Sequence, residues 1–304
     1  MTTLETLTDS YQARHTAEQK RAFREYAVGF AESRGVPARV EKSGGKHDNV
    51  VIGDPTSAKV VLTAHYDTPN ASLFPNVMMP RSTVLFWLYQ FVPVIFLLIF
   101  SLVPAYLIGV VALNDYRVYM IVFLVLYFGL FILTFKGFVN KNNANDNSSG
   151  VATVLGLVEK LGAGRLNDVA FILFDNEEKG KLGSKAYFKE HKAEMSDRLV
   201  VNFDCVGFGR EVIFIASAAA EASEEYAKIR EAVVSTEDYN VSFFPSKGSQ
   251  ANSDHKSFPK GVCCLACKRS KRGILYTPYI HTAKDVVCDP ENVAFLVDGV
   301  SRGI

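Results

Sequence analysis

Neither sign of charge is in surplus in this sequence: 33 Lys and Arg stand against 32 Asp and Glu, a formal net charge of +1. A nucleic-acid partner, which demands a basic face, is therefore not expected. An apolar run near the start is also missing. The first 30 residues, MTTLETLTDSYQARHTAEQKRAFREYAVGF, are polar and charged and hold no secretory h-region. That predicts a cytoplasmic start and reduced thiols, and makes the Asn-x-Ser sequons at Asn70, Asn147 and Asn240 chance matches. Cysteine is scarce and odd in number, with Cys205, Cys263, Cys264, Cys267 and Cys288. No second Cys/His pair stands at zinc-ribbon spacing from Cys263-Cys264-x-x-Cys267, so ordinary buried thiols are expected.

Charge disappears altogether in two stretches. Ser82 to Asn114 is 33 residues without a charged side chain, and after Asp115-Tyr116-Arg117 come 18 more, up to Phe135. A bilayer core about 30 Å thick takes roughly 20 apolar residues per helix. The spacing predicts a transmembrane helical hairpin inserted over 82–136, its first span longer than needed. Pro93 and Pro104 would kink that span or mark an interfacial lead-in, and Trp87 and Tyr89 fall where a headgroup-level aromatic belt belongs. The plainer alternatives, a buried helical pair or an apolar dimerisation cap, are hard to fit into a domain this small. A hairpin returns the chain to the side it left. Arg81, Lys136 and Lys141 flank it and only Arg117 is basic in the tip, so the positive-inside bias points to cytoplasmic flanks.

The rest of the chain alternates strand and helix patterns. Leu7, Tyr11, His15, Phe23, Tyr26, Ala27 and Phe30 recur at helical spacing over 4–34, ended by Gly35-Val36-Pro37. Strands are expected at 38–42 and 48–53 and in the continuous apolar runs VVLTAH (60–65) and VAFILF (169–174), which suit a buried parallel sheet. A helix opened by Ser149, a short helix near Ser184, strands LVVNFD and EVIFIAS, a helix over 220–234 and a closing helix after Pro290 follow. The fold class expected is α/β: a mixed, mostly parallel central sheet with helices on both faces, assembled from 1–69 and 140–304.

Several strand ends carry groups with chemistry. His65 and Asp67 follow VVLTA, Glu177 and Glu178 follow VAFILF, and Asp204 ends LVVNF; Asp146 precedes a helix and His281 lies in YIHTAKD. In an open α/β sheet, such residues converge outside the carboxyl ends of the strands. Each alone has a plain explanation: a structural histidine, a helix N-cap in DNSSG, a solvated Glu-Glu loop. Together they are two histidines and several carboxylates beside buried strands, and so many acids repel one another unless cations neutralise them.

The motifs HYD (65–67), NDNSSG (145–150), EEKGKLGS (177–184), Asp204, SDHKSF (253–258) and YIHTAKD (279–285) resemble, in order and spacing, those of the M28 family of zinc-dependent aminopeptidases. The resemblance spans nearly the whole chain except the hydrophobic insertion. It implies two Zn²⁺ ions, with Co²⁺ or Mn²⁺ as substitutes, bridged by Asp146. One ion would be completed by His65 and Asp204, the other by Glu178 and His281. It further implies Glu177 as general base and Asp67 as the carboxylate orienting His65, with Asp285 doing the same for His281. Adjacent residues at a strand end point in different directions, so Glu178 can reach an ion while Glu177 faces the attacking water. Ser253-Asp254-His255 resembles a segment near the substrate pocket, and Lys181 replaces a residue that the family usually has aliphatic. The activity implied is release of N-terminal residues from peptides. The alternatives are a glutaminyl-cyclase-like acyl transferase with one metal, which would not need His65, and a catalytically idle membrane receptor or scaffold, which would be expected to have lost ligands.

Overall fold

The structure, a computed structural model, describes residues 2–72, 74, 76–135, 137–165 and 167–304. Its strands, in chain order, are β1 (Ala38–Ser43), β2 (His47–Ile52), β3 (Val60–His65), β4 (Asn70–Ala71), β5 (Asn76–Met78), β6 (Phe138–Val139), β7 (Val169–Phe174), β8 (Leu199–Phe203), β9 (Glu211–Ala216), β10 (Asn240–Pro245), β11 (Gly261–Arg269) and β12 (Leu275–Ile280). Among the described residues, ten of these join one sheet in the order β1-β2-β7-β3-β8-β11-β12-β5, with β9 pairing β11 and β10 pairing β9. Strands β7, β3, β8 and β11 run parallel, whereas β2 and β9 join them antiparallel. The sheet is mixed and parallel at its centre, as the apolar runs predict.

Every residue of β3 and β7 is buried, because successive side chains point to opposite, equally covered faces. Val60, Leu62 and Ala64 pack with Phe23 and Leu155 on one face, and Val61 packs with Ile172, Tyr187 and Phe258 on the other. Cys205, Cys263, Cys264 and Cys267 are buried free thiols and Cys288 is half-buried.

Two helices expected as single elements are divided. The segment 4–34 forms helices Thr3–Ser10 and Ala17–Glu32. Thr16 restarts the chain: its Oγ1 accepts from the Gln19 N–H (3.2 Å) while its own N–H donates to Gln19 Oε1 (3.0 Å). That capping box satisfies two otherwise orphaned N–H groups, and apolar spacing alone hides it. Likewise 220–234 splits, with Ser223 capping Glu224–Ala232 after the short helix Ala218–Glu221.

The uncharged stretches form a helical hairpin. Helix Thr83–Ala105 contains both Pro93 and Pro104 and continues through a widened π-helical turn, Tyr106–Ala112, before helix Tyr116–Phe135 returns. Their most apolar 18-residue windows have mean hydropathy 2.7 and 2.2; the first span, Thr83–Ala112, is 30 residues and the second, Tyr116–Thr134, is 19. At 1.5 Å per residue these are about 45 Å and about 29 Å long. Only 22% and 6% of their most apolar windows are buried, unlike a core helix. Near the tip the legs touch closely: a Cβ on Gly109 would lie 2.3 Å from the Tyr119 nitrogen, so only glycine fits. At the base, β4 pairs β6 through Asn70↔Val139 and Ala71↔Phe138, and the Asn140 N–H donates to the Pro69 carbonyl (3.3 Å). The strand that leads into the hairpin, β5, pairs with β12. Lys136 lies outside the described residues.

Candidate metal centre

Three neighbouring parallel strands end at one edge. His65 closes β3 opposite Phe174 of β7, Glu177 and Glu178 follow β7, and Asp204 directly follows Phe203 at the end of β8. His281, at φ +55°, follows β12. Asp146 comes from the segment before helix Gly150–Leu161, with non-helical φ −110° and ψ 93°.

The geometry around Asp146 is two-sided. His65 Nε2 lies 3.4 Å from Asp146 Oδ1 and 3.8 Å from Asp204 Oδ1. His281 Nε2 lies 3.0 Å from Asp146 Oδ2 and 3.2 Å from Glu178 Oε2. Each carboxylate oxygen of Asp146 therefore faces its own imidazole and its own second carboxylate. Ligand atoms of His65, Asp146 and Asp204 lie within 4.8 Å of one another, as do those of Asp146, Glu178 and His281 and those of His65, Glu177 and Glu178.

The NDNSSG run fixes this arrangement with buried polar side chains. Asn145 Oδ1 accepts from the Gly207 N–H (2.8 Å), Asn147 Oδ1 from Cys205 (3.2 Å), and Ser149 Oγ from Val206 (3.0 Å). Every second residue is thus bonded to the loop that carries Asp204. Ser149 is not the cap expected of it; its Oγ donates to the Asn145 carbonyl (2.7 Å), and Asn147 Oδ1 receives the Gly150 N–H (3.0 Å). A Cβ on Gly150 would fall 2.3 Å from the Phe203 carbonyl oxygen, so helix and strand end can meet only through glycine.

Two supporting carboxylates act on backbone. Among the described residues Asp285 makes no hydrogen bond to His281. Its oxygens accept the N–H groups of Asn145 and Asp146, both at 2.9 Å, because the 282–285 turn runs beneath Asp146. Asp67 has its carboxylate 3.6 Å from His65 Nδ1, whereas its main-chain carbonyl is nearer, at 3.1 Å. The carboxylate accepts instead from the N–H of Glu177 (2.9 Å) and of Glu178 (3.2 Å), so it sets the glutamate pair as well as flanking the imidazole.

Two cations behind the site have no sequence motif to announce them. Lys20 Nζ reaches Asp175 Oδ1 (2.6 Å) and Asn176 Oδ1 (2.9 Å), pinning the start of the glutamate loop. Arg14, fully buried, donates to Ser148 Oγ (3.1 Å) and to the Tyr66 carbonyl. Burial lowers its guanidinium to about 10, although Asp67 and Asp146 support the charge. Both residues occupy polar positions of the N-terminal segment, and only the fold brings them here.

Without cations the cluster is electrostatically lopsided. Burial pushes Glu177 well above the carboxylate range, with Glu178 and Asp254 adding to it, and raises Glu178 too. Burial would lower His65 and His281, but Asp146, with Asp204 beside the first and Glu178 beside the second, holds both well above the usual imidazole value. Against its own burial, His281 and His65 keep Asp146 low. Asp285 rises to about 7 through burial and the nearby Asp146. Glu178 Oε1 is buried without a hydrogen-bond partner among the described residues. Two imidazoles and three carboxylates, one oxygen of them orphaned, fit divalent zinc-class ions.

Asp254 and His255 are buried close by. Burial raises Asp254 to about 7 and lowers His255 to about 3, while Ser253 Oγ accepts from Asn202 of β8 (2.9 Å). A cleft of about 340 Å³ opens over the cluster, and its walls include Phe86 and Gln90 of the first hairpin helix. Lys181, at φ +61°, lines the same cleft and donates to Asn252 Oδ1 (2.8 Å).

Residues 134–294 match the family model described as peptidase family M28. No curated protein sequence matches the chain. Among solved structures, the LapA aminopeptidase of Legionella pneumophila is similar at 16% identity and TM-score 0.55, over 99% of this chain and 67% of that one. The glutaminyl cyclase of Porphyromonas gingivalis is similar at 15% and 0.58, over 99% and 94%. A leucine aminopeptidase precursor of Bacteroides thetaiotaomicron gives 16% and 0.59, also over 99% and 94%. Identities this low speak for a shared fold.

Proposed function

The chain belongs to peptidase family M28, and from that premise we propose that it is a membrane-anchored aminopeptidase with two zinc ions. The observation that carries this is Asp146, whose two oxygens face separate donor sets: His65 with Asp204, and His281 with Glu178. Bound there, the ions would supply Lewis acidity toward the scissile carbonyl and acidity for the attacking water. Glu177, held by Asp67 through its N–H, stands where it can take a proton from that water and return it to the leaving amine. Such general-base work contributes typically about 10²–10⁴-fold. Asp285 fixes the main chain of Asp146, and Asn145, Asn147 and Ser149 tie Asp146 to Asp204.

Residues 1–69 and 140–304 form the peptidase domain in this reading, and 82–136 is the inserted bilayer hairpin. The Pro69–Asn140 hydrogen bond at its neck supports that division. The hairpin flanks lie on the cytoplasmic side, in keeping with Arg81 and Lys141. Because Phe86 and Gln90 wall the cleft, the hairpin restricts substrates to short or membrane-proximal peptides.

The test is hydrolysis of aminoacyl-p-nitroanilides by detergent-purified protein, with and without chelator, beside Glu177→Gln. Release that needs metal and is lost in the variant supports the proposal. The fold is also shared with a glutaminyl cyclase, so pyroglutamyl product from N-terminal glutamine would transfer the assignment to acyl transfer. No turnover across a broad panel would leave a scaffold.

A further inference from the structure

Beside the base of the hairpin lies a second cavity, separate from the metal cleft, of about 430 Å³. One wall is the first hairpin helix, through Leu85, Leu88 and Val92; the other is Met79, Ile274 and Tyr276. Leu85, Leu88 and Val92 are 39%, 58% and 53% exposed, so the cavity leaves apolar surface uncovered. Between its lining residues Ser270 and Ile274 runs the turn that joins β11 to β12. That turn is ordered: Ser270 N–H donates to the Ile274 carbonyl (2.9 Å), Gly273 N–H to the Ser270 carbonyl (2.9 Å), and Ile274 N–H to Ser270 Oγ (3.0 Å). It presents Lys271 and Arg272, both exposed, whose side chains make no ion pair or hydrogen bond among the described residues. Their neighbour Arg269 is by contrast committed to Glu211 (2.6 Å). A third exposed cation, Lys247, unpaired among the described residues, precedes Gly248, whose carbonyl accepts from Thr83 Oγ1 (3.4 Å) at the start of the hairpin.

We propose that this surface is a binding site for anionic phospholipid. An acyl chain lies in the cavity against Leu85, Leu88 and Val92, and the phosphate sits on Lys271 and Arg272. The inference rests on the reading of the hairpin as membrane-inserted, since that places the turn beside its first helical turns at headgroup level. Charge complementarity selects the ligand. Exposed cations beside an apolar slot match a headgroup of negative charge above hydrocarbon, and each such cation favours an anionic over a neutral surface roughly fivefold at moderate salt. The site would also hold the hairpin base, and with it β5 and β12, the strand that leads to His281, at a fixed depth.

The single tryptophan of the sequence, Trp87, adjoins Leu88 and serves as the probe. Full-length protein is reconstituted in vesicles that contain brominated phosphatidylglycerol or brominated phosphatidylcholine at equal mole fraction, and Trp87 quenching is compared. The expected result is quenching several-fold stronger by the phosphatidylglycerol. That preference should weaken with salt and vanish in Lys271→Gln/Arg272→Gln, which keeps wild-type quenching by phosphatidylcholine and wild-type hydrolysis in detergent. Equal quenching by both lipids, or a preference that survives the double substitution, overturns the site but leaves the membrane reading standing. Quenching by neither lipid overturns both. Crosslinking that joins Leu88 of two copies in place of lipid contact assigns the cavity to self-association and overturns the lipid site.

Discussion

Strand β3 and the first hairpin helix are both apolar, yet they face opposite surroundings. Every residue of VVLTAH is buried, whereas Trp87, Leu88 and Phe91 expose 55%, 58% and 57% of their surface. Sheet and helices cover the strand on both faces. Among the described residues the hairpin helix is contacted by the second leg and the base, and in the proposed membrane reading its remaining surface would meet hydrocarbon. Hydropathy therefore states what a segment needs around it, and the fold decides whether protein or another medium supplies it. The regions also differ in polar groups. The sheet end gathers buried acids that must be neutralised, while the hairpin has its charged side chains, Asp115 and Arg117, at the tip, and the mid-helix Ser101 hydroxyl donates to the Leu97 carbonyl (2.7 Å).

The contrast can be broken most forcefully at the sheet end. Glu177→Gln should lower kcat about 10²–10⁴-fold with metal content unchanged in elemental analysis; a loss of metal instead would make Glu177 a ligand. Asp285→Ala leaves the Asn145 and Asp146 N–H groups without their acceptor and should weaken metal affinity about 10–100-fold in chelator competition. On the hairpin side, Gly109→Val forces a side chain into the Tyr119 backbone and should cost about 1–3 kcal/mol. Loss of thermal resistance in detergent would register it, with the metal site's affinity unaltered. Phe86→Ala, where the two regions meet, should change KM for peptides relative to aminoacyl anilides by ~tenfold or less, the worth of one apolar contact. A shift in kcat alone would detach the hairpin from substrate binding.

Much of this was legible in the sequence because its signals are local. VVLTAH and VAFILF can bury both faces only inside a sheet, and two uncharged stretches can form a hairpin without help from distant residues. Parallel strand order brings His65, Glu177, Glu178 and Asp204 to one edge, where Asp146, ahead of helix Gly150–Leu161, and His281, after the antiparallel β12, join them. What escaped depends on contacts across the fold. Thr16 breaks the first helix by a capping box that the apolar spacing conceals. Arg14 and Lys20 read as ordinary surface charges until the N-terminal segment packs behind Asp67 and Asp175. Asp285, four residues from His281, suggests an imidazole partner by proximity in sequence, yet its carboxylate is drawn to the free N–H groups of Asn145 and Asp146.

The shared aspartate is the centre of the account, and counting ions tests it directly. Purified, metal-replete protein and its Asp146→Ala variant would be compared by elemental analysis alongside anomalous scattering. Two ions per chain, one beside His65 and one beside His281, with both lost in the variant, is the result expected. A wild-type chain with no ion at these histidines, or a variant that retains both, would contradict it.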